Sequence, residues 1–516
     1  MSEEIVEACF KDLTSANLRC QQEFIRRYLA ALLTKRFVIF TGLAGSGKTK
    51  IAQAFARWIS PTCAASDPFT PGSAIPASRI SYGVLDADRL AVELWNDPDP
   101  QRATKVVLPR ALIQEWVDYI TKNHIDEGTP ARTIREAVSA TTKYSTQLNS
   151  FETHLKAAAF AMIAAPSTTQ GVRCYEVISV GADWTSNEHV LGYPDGLDKS
   201  RYVRTKALDL ILRAAAEPGR PYFLILDEMN LSHVERYFSD LLSAIESDEP
   251  IHLHADKNKD GSPGLRDGVP GEVCLPPNLY IIGTVNVDET TYMFSPKVLD
   301  RANVLEFRVS GSELKLFLEN PAPVDIPKLD GAGCKFVGQF MGLARTRSRL
   351  MEADRKRLES EMMLFFSTLQ AANSEFGFRV AKEVATFVGF HKELSSSSWD
   401  FRLAMDAQIF QKLLPKLHGS RNFLEPILCA IALLCFEKRT WEEADGQDGY
   451  TDSRALQLRV QSAMRMEDDG LDPLSVKSEG QPAYAVAEAY YPMSFEKVIR
   501  MLERLRANGF TSFAEA

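Results

Sequence analysis

The spacing of apolar residues changes period several times along the chain, and each change marks an element. Over residues 15–33 (SANLRCQQEFIRRYLAALL), Leu18, Ile25, Tyr28, Leu29, Leu32 and Leu33 recur at helical spacing, with Ser15 as the expected cap. The unbroken run RFVIFT (36–41) then predicts a short strand, followed by a glycine-rich turn and the helical segment KTKIAQAFARWI (48–59). RCYEVISV (173–180), PYFLILDE (221–228) and NLYIIGTVN (278–286) repeat the strand pattern, and LSHVERYFSDLLSAIES (231–247) repeats the helical one. IHLHADK (251–257) and GEVCLP (271–276) flank a Gly/Asp/Pro-rich turn and predict a hairpin. Helices and apolar strands alternating around glycine-rich turns predict an α/β fold with a parallel sheet covered on both faces.

Two stretches depart from that alternation. Residues 60–172 open on the loop-like PTCAASDPFTPGSAIPAS and continue with helical segments at 108–122 (Leu112, Trp116 and Ile120 at i, i+4, i+8), 130–143 and 149–165. In the last of these, Asn149 and Glu152 form a capping-box-like pair. From about 330 onward the pattern is mostly helical, with polar interruptions at 395–400, 443–453 and 467–483. Its longest apolar run, LEPILCAIALLCF (424–436), falls short of the roughly 20 residues that span a bilayer and reads as a buried helix. The expected organisation is a helical segment over 1–35, an α/β core over 36–60 and 173–315 with its hairpin at about 250–277, a mostly helical insertion over 61–172, and a C-terminal helical region over 330–516. No membrane association is expected.

Composition narrows the function classes. The 516 residues suffice for about two to four domains. A net charge of −9 excludes a whole-surface nucleic-acid footprint, so any DNA contact must come from a local basic patch, a pore loop or a partner chain. The eight cysteines are scattered without a C-x-x-C pair, which suits neither a zinc knuckle nor a disulfide framework and points to reduced thiols. The acidic start MSEEIVEACFKDL lacks the basic and apolar regions of a signal peptide, so a cytoplasmic location is expected.

The strongest chemical signal is GLAGSGKT (42–49), which fits G-x-x-x-x-G-K-[ST] between a strand and a helix. Gly42, Gly45 and Gly47, with Ser46 between them, let the backbone pass close to phosphate oxygens, and the helix N-terminus adds partial positive charge. Lys48 is placed to pair with the β- and γ-phosphates of a nucleoside triphosphate, and the Thr49 hydroxyl to ligate Mg²⁺. In FLILDE (223–228), four apolar residues end in two acids at a strand edge: Asp227 is the second candidate metal ligand, and Glu228 the general base for an attacking water. Asn286 ends the strand of IIGTVNVDETT, where a carboxamide can reach the γ-phosphate; capping of local backbone is the ordinary alternative. Arg301 in VLDRANVLEF sits at a helix end and suits an arginine finger acting on a neighbouring subunit, the alternative being an intrachain pair with Asp300. Arg379 in FGFRVAKEVATFV starts a helix and suits a γ-phosphate contact that couples hydrolysis to lid motion, against a plain surface role. His252 and His254 fall on one face of a strand with no Cys or acid at ligand spacing, a poor metal site. KLLPKLHGSR (412–421) reads as a solvated helix end in preference to a contact patch.

Together these residues resemble the McrB/MoxR/dynein-related branch of the AAA+ NTPases, over about 36–60, 173–310 and, more weakly, 370–435. Asp183-Trp184-Thr185 with Leu191-Gly192-Tyr193 is similar to the "DWT…LGY" stretch of McrB-like proteins, DEMNLSHVERYFSDLL to the branch's extended acidic motif, and the 251–276 hairpin to its pre-sensor hairpin. The resemblance implies an AAA+ core with a C-terminal lid, Asn286 as sensor 1, Arg301 as arginine finger and Arg379 as sensor 2. It further implies a hexameric ring, a McrC-like nuclease subunit as partner, and double-stranded DNA as the substrate of a restriction or phage-defence motor. The chain departs from the GTP-associated Asn-x-x-Asp signature at Asn286-Val287-Asp288-Glu289, so ATP is expected in preference to GTP. A MoxR-like chaperone acting on a protein client, or a nucleotide-gated scaffold, are the competing readings.

Overall fold

Strands that turn apolar side chains to both faces need helices on both, and the central sheet is built that way. A computed structural model describes residues 2–60, 82–85, 91–95, 105–123, 125, 129–138, 151–164, 173–257, 264–287, 292, 294–309, 311–319, 321–346, 348, 350–371, 373–395, 399–442, 449–450, 453–465, 472–475 and 484–513. The chain divides into two compact units, 1–61 with 174–516, and 62–173.

In the first unit, five parallel strands carry the fold: β1 (Phe37–Gly42), β2 (Tyr175–Ser179), β3 (Tyr222–Asp227), β4 (Leu279–Asn286) and β5 (Asn303–Glu306), in the order β5-β1-β4-β3-β2. Side chains alternate with period two. Val38 and Phe40 of β1, Phe223 and Ile225 of β3, and Tyr280 and Ile282 of β4 enter one core. Their neighbours Phe37 and Ile39, Leu224 and Leu226, and Leu279 and Ile281 enter the other. The principal helices are numbered from α1 (Ser2–Ser15), α2 (Gln22–Thr34) and α3 (Lys48–Ile59). α2 and α3 cover the first face through Phe24, Ile25, Tyr28, Ile51, Phe55 and Trp58. α4 (Lys206–Ala216) and α5 (Ser239–Ser247) cover the second through Leu208, Ile211, Leu241 and Leu242. Phe55 is a hub, with ring centroids 5.5 Å from Tyr28, 5.8 Å from Phe223 and 5.7 Å from Phe340; emptying such a position costs about 3–5 kcal/mol.

Toward the C-terminus come α6 (Pro296–Arg301), α7 (Gly311–Glu319), α8 (Val337–Arg345), α9 (Glu352–Gln370), α10 (Phe378–Glu393), α11 (Phe401–Gln408), α12 (Arg421–Phe436), α13 (Ser453–Arg465) and α14 (Pro492–Asn508). The apolar run at 424–436 forms the buried body of α12, and with α9, α10, α11 and α14 it builds a third core. The hairpin over 251–273 is present, pairing Ile251 with Val273 and His252 with Glu272.

Several expectations need correction. The single helix over 15–33 is two: α1 ends at Ser15, Asn17 takes left-handed backbone (φ 60°), and α2 starts after Gln21. Ser15 therefore closes a helix. Leu18 lies in the connection yet is buried, which made its spacing look helical. The helix over 231–247 is also broken, into Val234–Tyr237 and Ser239–Ser247 around Phe238 (φ −116°, ψ 11°). Lys412 does not belong to a solvated helix end. A π-helical turn over Ile409–Leu413 follows α11, and within it Lys412 is only 3% exposed.

The second unit has helices Arg110–Lys122, Ala131–Ala137 and Phe151–Ala164, packed through Leu112, Trp116, Ile120, Ile134 and Leu155. It also has an antiparallel sheet, Tyr82–Leu85, Ala91–Trp95 and Lys105–Pro109, which the mostly helical expectation missed. Strands of four or five residues carry too little periodicity to stand out. The loop-like 61–78, the cap at Asn149 and the pair Asp288-Glu289 lie outside the described residues.

Candidate functional site

β1 runs between β4 and β5, so its C-terminal end opens onto the point where the chain order of the sheet reverses, the usual ligand crevice of such sheets. The register Gly42↔Asn286 brings the ends of β1 and β4 level. Between β1 and α3 the chain turns through three glycines at φ +152° (Gly42), +74° (Gly45) and +102° (Gly47). At Gly42 a Cβ would lie 2.3 Å from the carbonyl oxygen of Phe307, so only glycine fits. Lys48 begins α3 and is buried; its Nζ donates to the carbonyls of Gly42 (2.9 Å) and Leu43 (2.6 Å) and lies 3.5 Å from Ser46 Oγ. The loop thus surrounds one ammonium at the positive end of a helix.

The acidic strand reaches the same place. The Thr49 hydroxyl donates to Asp227 Oδ1 at 2.6 Å across 178 residues of sequence. Thr284 on β4 donates to the same oxygen at 2.6 Å and accepts the Glu228 N–H at 3.1 Å. Glu228 adopts left-handed backbone (φ 54°, ψ 48°), which costs a non-glycine residue roughly 1–2 kcal/mol. Its carboxylate is exposed, and Asn286 Nδ2 donates to its Oε1 at 3.1 Å. Asn230 in turn holds the Asn286 carbonyl at 2.9 Å. Lys48, Thr49, Asp227, Glu228 and Asn286 are therefore gathered around one cavity of about 680 Å³, a volume in the range of small-ligand sites. The cavity is also lined by the apolar Leu18, Phe307, Val309, Leu314, Phe317 and Val324, with Asn17, Arg19 and Glu313 adding polar groups. Sequence reasoning missed Thr284, Leu18 and Phe317. A hydroxyl inside the otherwise apolar IIGTV was the available signal for Thr284; nothing local marked the other two.

Arg301 and Arg379 do not line this cavity. They meet each other instead. Arg301 Nε donates to Glu246 Oε2 at 2.6 Å, and Arg379 pairs with the same carboxylate and with Asp300. Asp300 thus takes Arg379 where the sequence alternative gave it Arg301. Hydrogen bonding from Arg301 and then from Arg379 holds the Glu246 carboxyl below its ordinary range.

Trp184 stacks on His189 (5.5 Å, 7° between planes), and its carbonyl accepts Ser232 Oγ at 2.6 Å, so the DWT stretch braces the start of the segment after β3. His252 is exposed beside Glu272, whereas His254 is buried with Nε2 2.8 Å from the Val269 carbonyl oxygen; the strand ends at His252, so the two rings do not share an environment. No helix among the described residues is long and apolar enough to cross a membrane.

The residues present fit a triphosphate with a divalent cation. A hydroxyl and a carboxylate already in contact are the protein ligands a Mg²⁺ ion takes when phosphate oxygens and water complete its shell. The lysine beside them contacts oxygens of its own loop, the carbonyls of Gly42 and Leu43. A family profile described as a domain of unknown function (DUF8727) matches residues 333–510. No curated protein matches the chain.

Proposed function

We propose that this protein is a nucleoside triphosphatase of the AAA+ type, resembling the McrB-like branch, with ATP as its expected substrate and GTP as the alternative. The observation that carries this reading is the 2.6 Å contact between Thr49 and Asp227, which joins the phosphate-binding loop to the acidic strand. In this reading Lys48 exchanges its loop carbonyls for the β- and γ-phosphates. Thr49 and Asp227 hold Mg²⁺, which supplies charge neutralisation on the phosphates. Glu228, exposed and oriented by Asn286 and by the Thr284 hydroxyl, takes the proton of the attacking water. The apolar side chains of the cavity lining receive the base.

Arg301 and Arg379, presented together on Glu246 and absent from their own chain's cavity, suit contact with the nucleotide of a neighbouring copy, which makes turnover depend on ring assembly. The restriction-motor reading, with a McrC-like nuclease subunit and double-stranded DNA, rests on the DWT–LGY and DEMN resemblance. A MoxR-like chaperone is the second reading, favoured by the net charge of −9. The test is ATP and GTP turnover with and without double-stranded DNA or a nuclease partner, alongside oligomeric mass. Stimulation by either supports the motor, and its absence from both removes it. Glu228→Gln is expected to keep binding, stop turnover and stabilise the assembled ring; hydrolysis at the normal rate would show that Glu228 is not the base.

A further inference from the structure

The arginine pair stands on a buried charge cluster to which the proposed hydrolysis gives no role. α6 ends at Arg301, and Ala302 continues in extended backbone (φ −111°, ψ 163°), so the last carbonyls of the helix lack the glycine turn that commonly closes one. Two lysines take those carbonyls. Lys35 Nζ, at the end of α2, donates to the Asp300 carbonyl at 3.0 Å, and Lys412 Nζ, from the π-helical turn, donates to the Ala302 carbonyl at 2.8 Å. Both ammoniums are anchored on one carboxylate. Glu383 Oε1 lies 2.6 Å from Lys35, and Glu383 Oε2 lies 2.6 Å from Lys412. The side chain of Lys412 is 1% exposed, and those of Lys35 and Glu383 are each 13% exposed.

Glu383 is four residues beyond Arg379 on α10 and so lies on the same helical face. The Asp300 side chain, whose own backbone carbonyl takes Lys35, accepts Arg379 and lies 3.0 Å from Lys416. Desolvating three ions is costly, and apolar residues of the same volume would often hold these helices as well or better. A cluster built of ions, each aimed at a specific carbonyl or carboxylate beside the arginines, is better explained by placement than by stability.

We propose that Glu383, with Lys35 and Lys412, is a positioning lock. It fixes the end of α6 against α10 so that Arg301 and Arg379 reach the neighbouring copy's triphosphate as one unit. The inference rests on the nucleotide reading given above. It also assigns a task to the segment matched by the domain of unknown function. Arg379, Glu383, Lys412 and Lys416 all lie within 333–510, while none of the described residues of that segment lines the cavity of its own chain. On this proposal the segment serves the neighbour's nucleotide through Arg379 and the groups that hold it.

The lock has a pH signature. Burial first, and the Lys35 ammonium second, bring the Lys412 amine down to about 7 against the opposing pull of Glu383. The other charged groups facing the cluster are Asp300, Lys416 and Arg379. As pH rises through about 7, Lys412 loses its proton and its ion pair with Glu383 weakens.

The test uses the full chain with ATP and Mg²⁺ and measures binding, assembled mass, kcat and KM at pH 6.5 and 8.5. Glu383→Gln is expected to leave ATP affinity within about twofold and to lower kcat about 10- to 100-fold, the scale of loss for a misplaced catalytic group. Lys412→Arg, which stays charged, is expected to keep kcat at pH 6.5 and to lose the decline expected of the unaltered protein toward pH 8.5. Lys35→Met, which removes the ammonium on Glu383 Oε1, is expected to give the same kcat loss and serves if Glu383→Gln does not unfold cooperatively. If the two neutralising variants bind ATP and turn it over at the normal rate, or only lower thermal stability, the lock is overturned and the nucleotide site stands. If the unaltered protein binds no triphosphate, the underlying reading fails instead.

Discussion

Thr284→Val removes one hydroxyl and keeps the shape of the side chain. Thr284 is 1% exposed, and its oxygen both donates to Asp227 (2.6 Å) and accepts the Glu228 amide (3.1 Å). In the valine variant Asp227 keeps Thr49 alone, and the Glu228 N–H loses its acceptor at a residue already held in left-handed backbone. Leaving a buried donor unsatisfied costs about 1–3 kcal/mol, and a hydrogen bond to a carboxylate is worth about 1.5–3 kcal/mol. Water reaches the half-buried Asp227 and recovers part of the second loss, so a net destabilisation of about 2–3 kcal/mol is expected. Urea unfolding reads this as a lower midpoint at unchanged slope. If Asp227 holds Mg²⁺ and Glu228 is the base, as proposed, the lost hydroxyl orients both, and turnover or Mg²⁺ affinity should fall about 10- to 100-fold, as for other groups that brace metal ligands. Thr284→Ser, which restores the oxygen, should recover most of both. A valine variant with normal stability and a normal Mg²⁺ dependence would refute the claim that Thr284 organises the acidic pair.

Two further predictions concern the loop and the arginines. Gly42→Ala brings a Cβ to 2.3 Å from the Phe307 carbonyl oxygen at φ +152°, so stability should fall by more than about 1 kcal/mol and triphosphate binding should be lost; a well-folded alanine variant with normal affinity in a nucleotide titration would contradict the steric reading. Arg301→Ala subunits mixed with Glu228→Gln subunits should recover part of the ATPase activity that each lacks alone, because mixed interfaces join an intact finger to an intact base. Absence of recovery in the mixture, with co-assembly verified by mass, would count against a finger acting between copies.

The sheet was legible where side chains had to be apolar on both faces, as in FVIFT, YFLILD and LYIIGTV. The Gly-rich loop and the acid pair were legible because phosphate and metal chemistry restrict residue types at fixed spacing. Other features depended on tertiary placement. The break at Asn17 was masked by the buried Leu18 beside it, which kept helical spacing through the connection. The cavity lining joins residues 17–19 to α7, some 300 residues apart, and no local pattern records that meeting. Nothing in the helical run 231–247 marked Glu246, yet it holds both arginines. Lys412 looked solvated because its run is basic; only the π turn and the distant Glu383 account for its burial.

Equilibrium binding of ATP in the presence of Mg²⁺ to the unaltered protein and to Lys48→Ala, followed by calorimetry, addresses the phosphate-binding loop most directly. Saturable binding by the first and none by the second is expected, since in the proposed reading the ammonium that rests on the Gly42 and Leu43 carbonyls is the loop's cation for the phosphates. Equal affinity in the two proteins, or no binding to either ATP or GTP, would contradict a triphosphate site at the junction of Thr49 and Asp227.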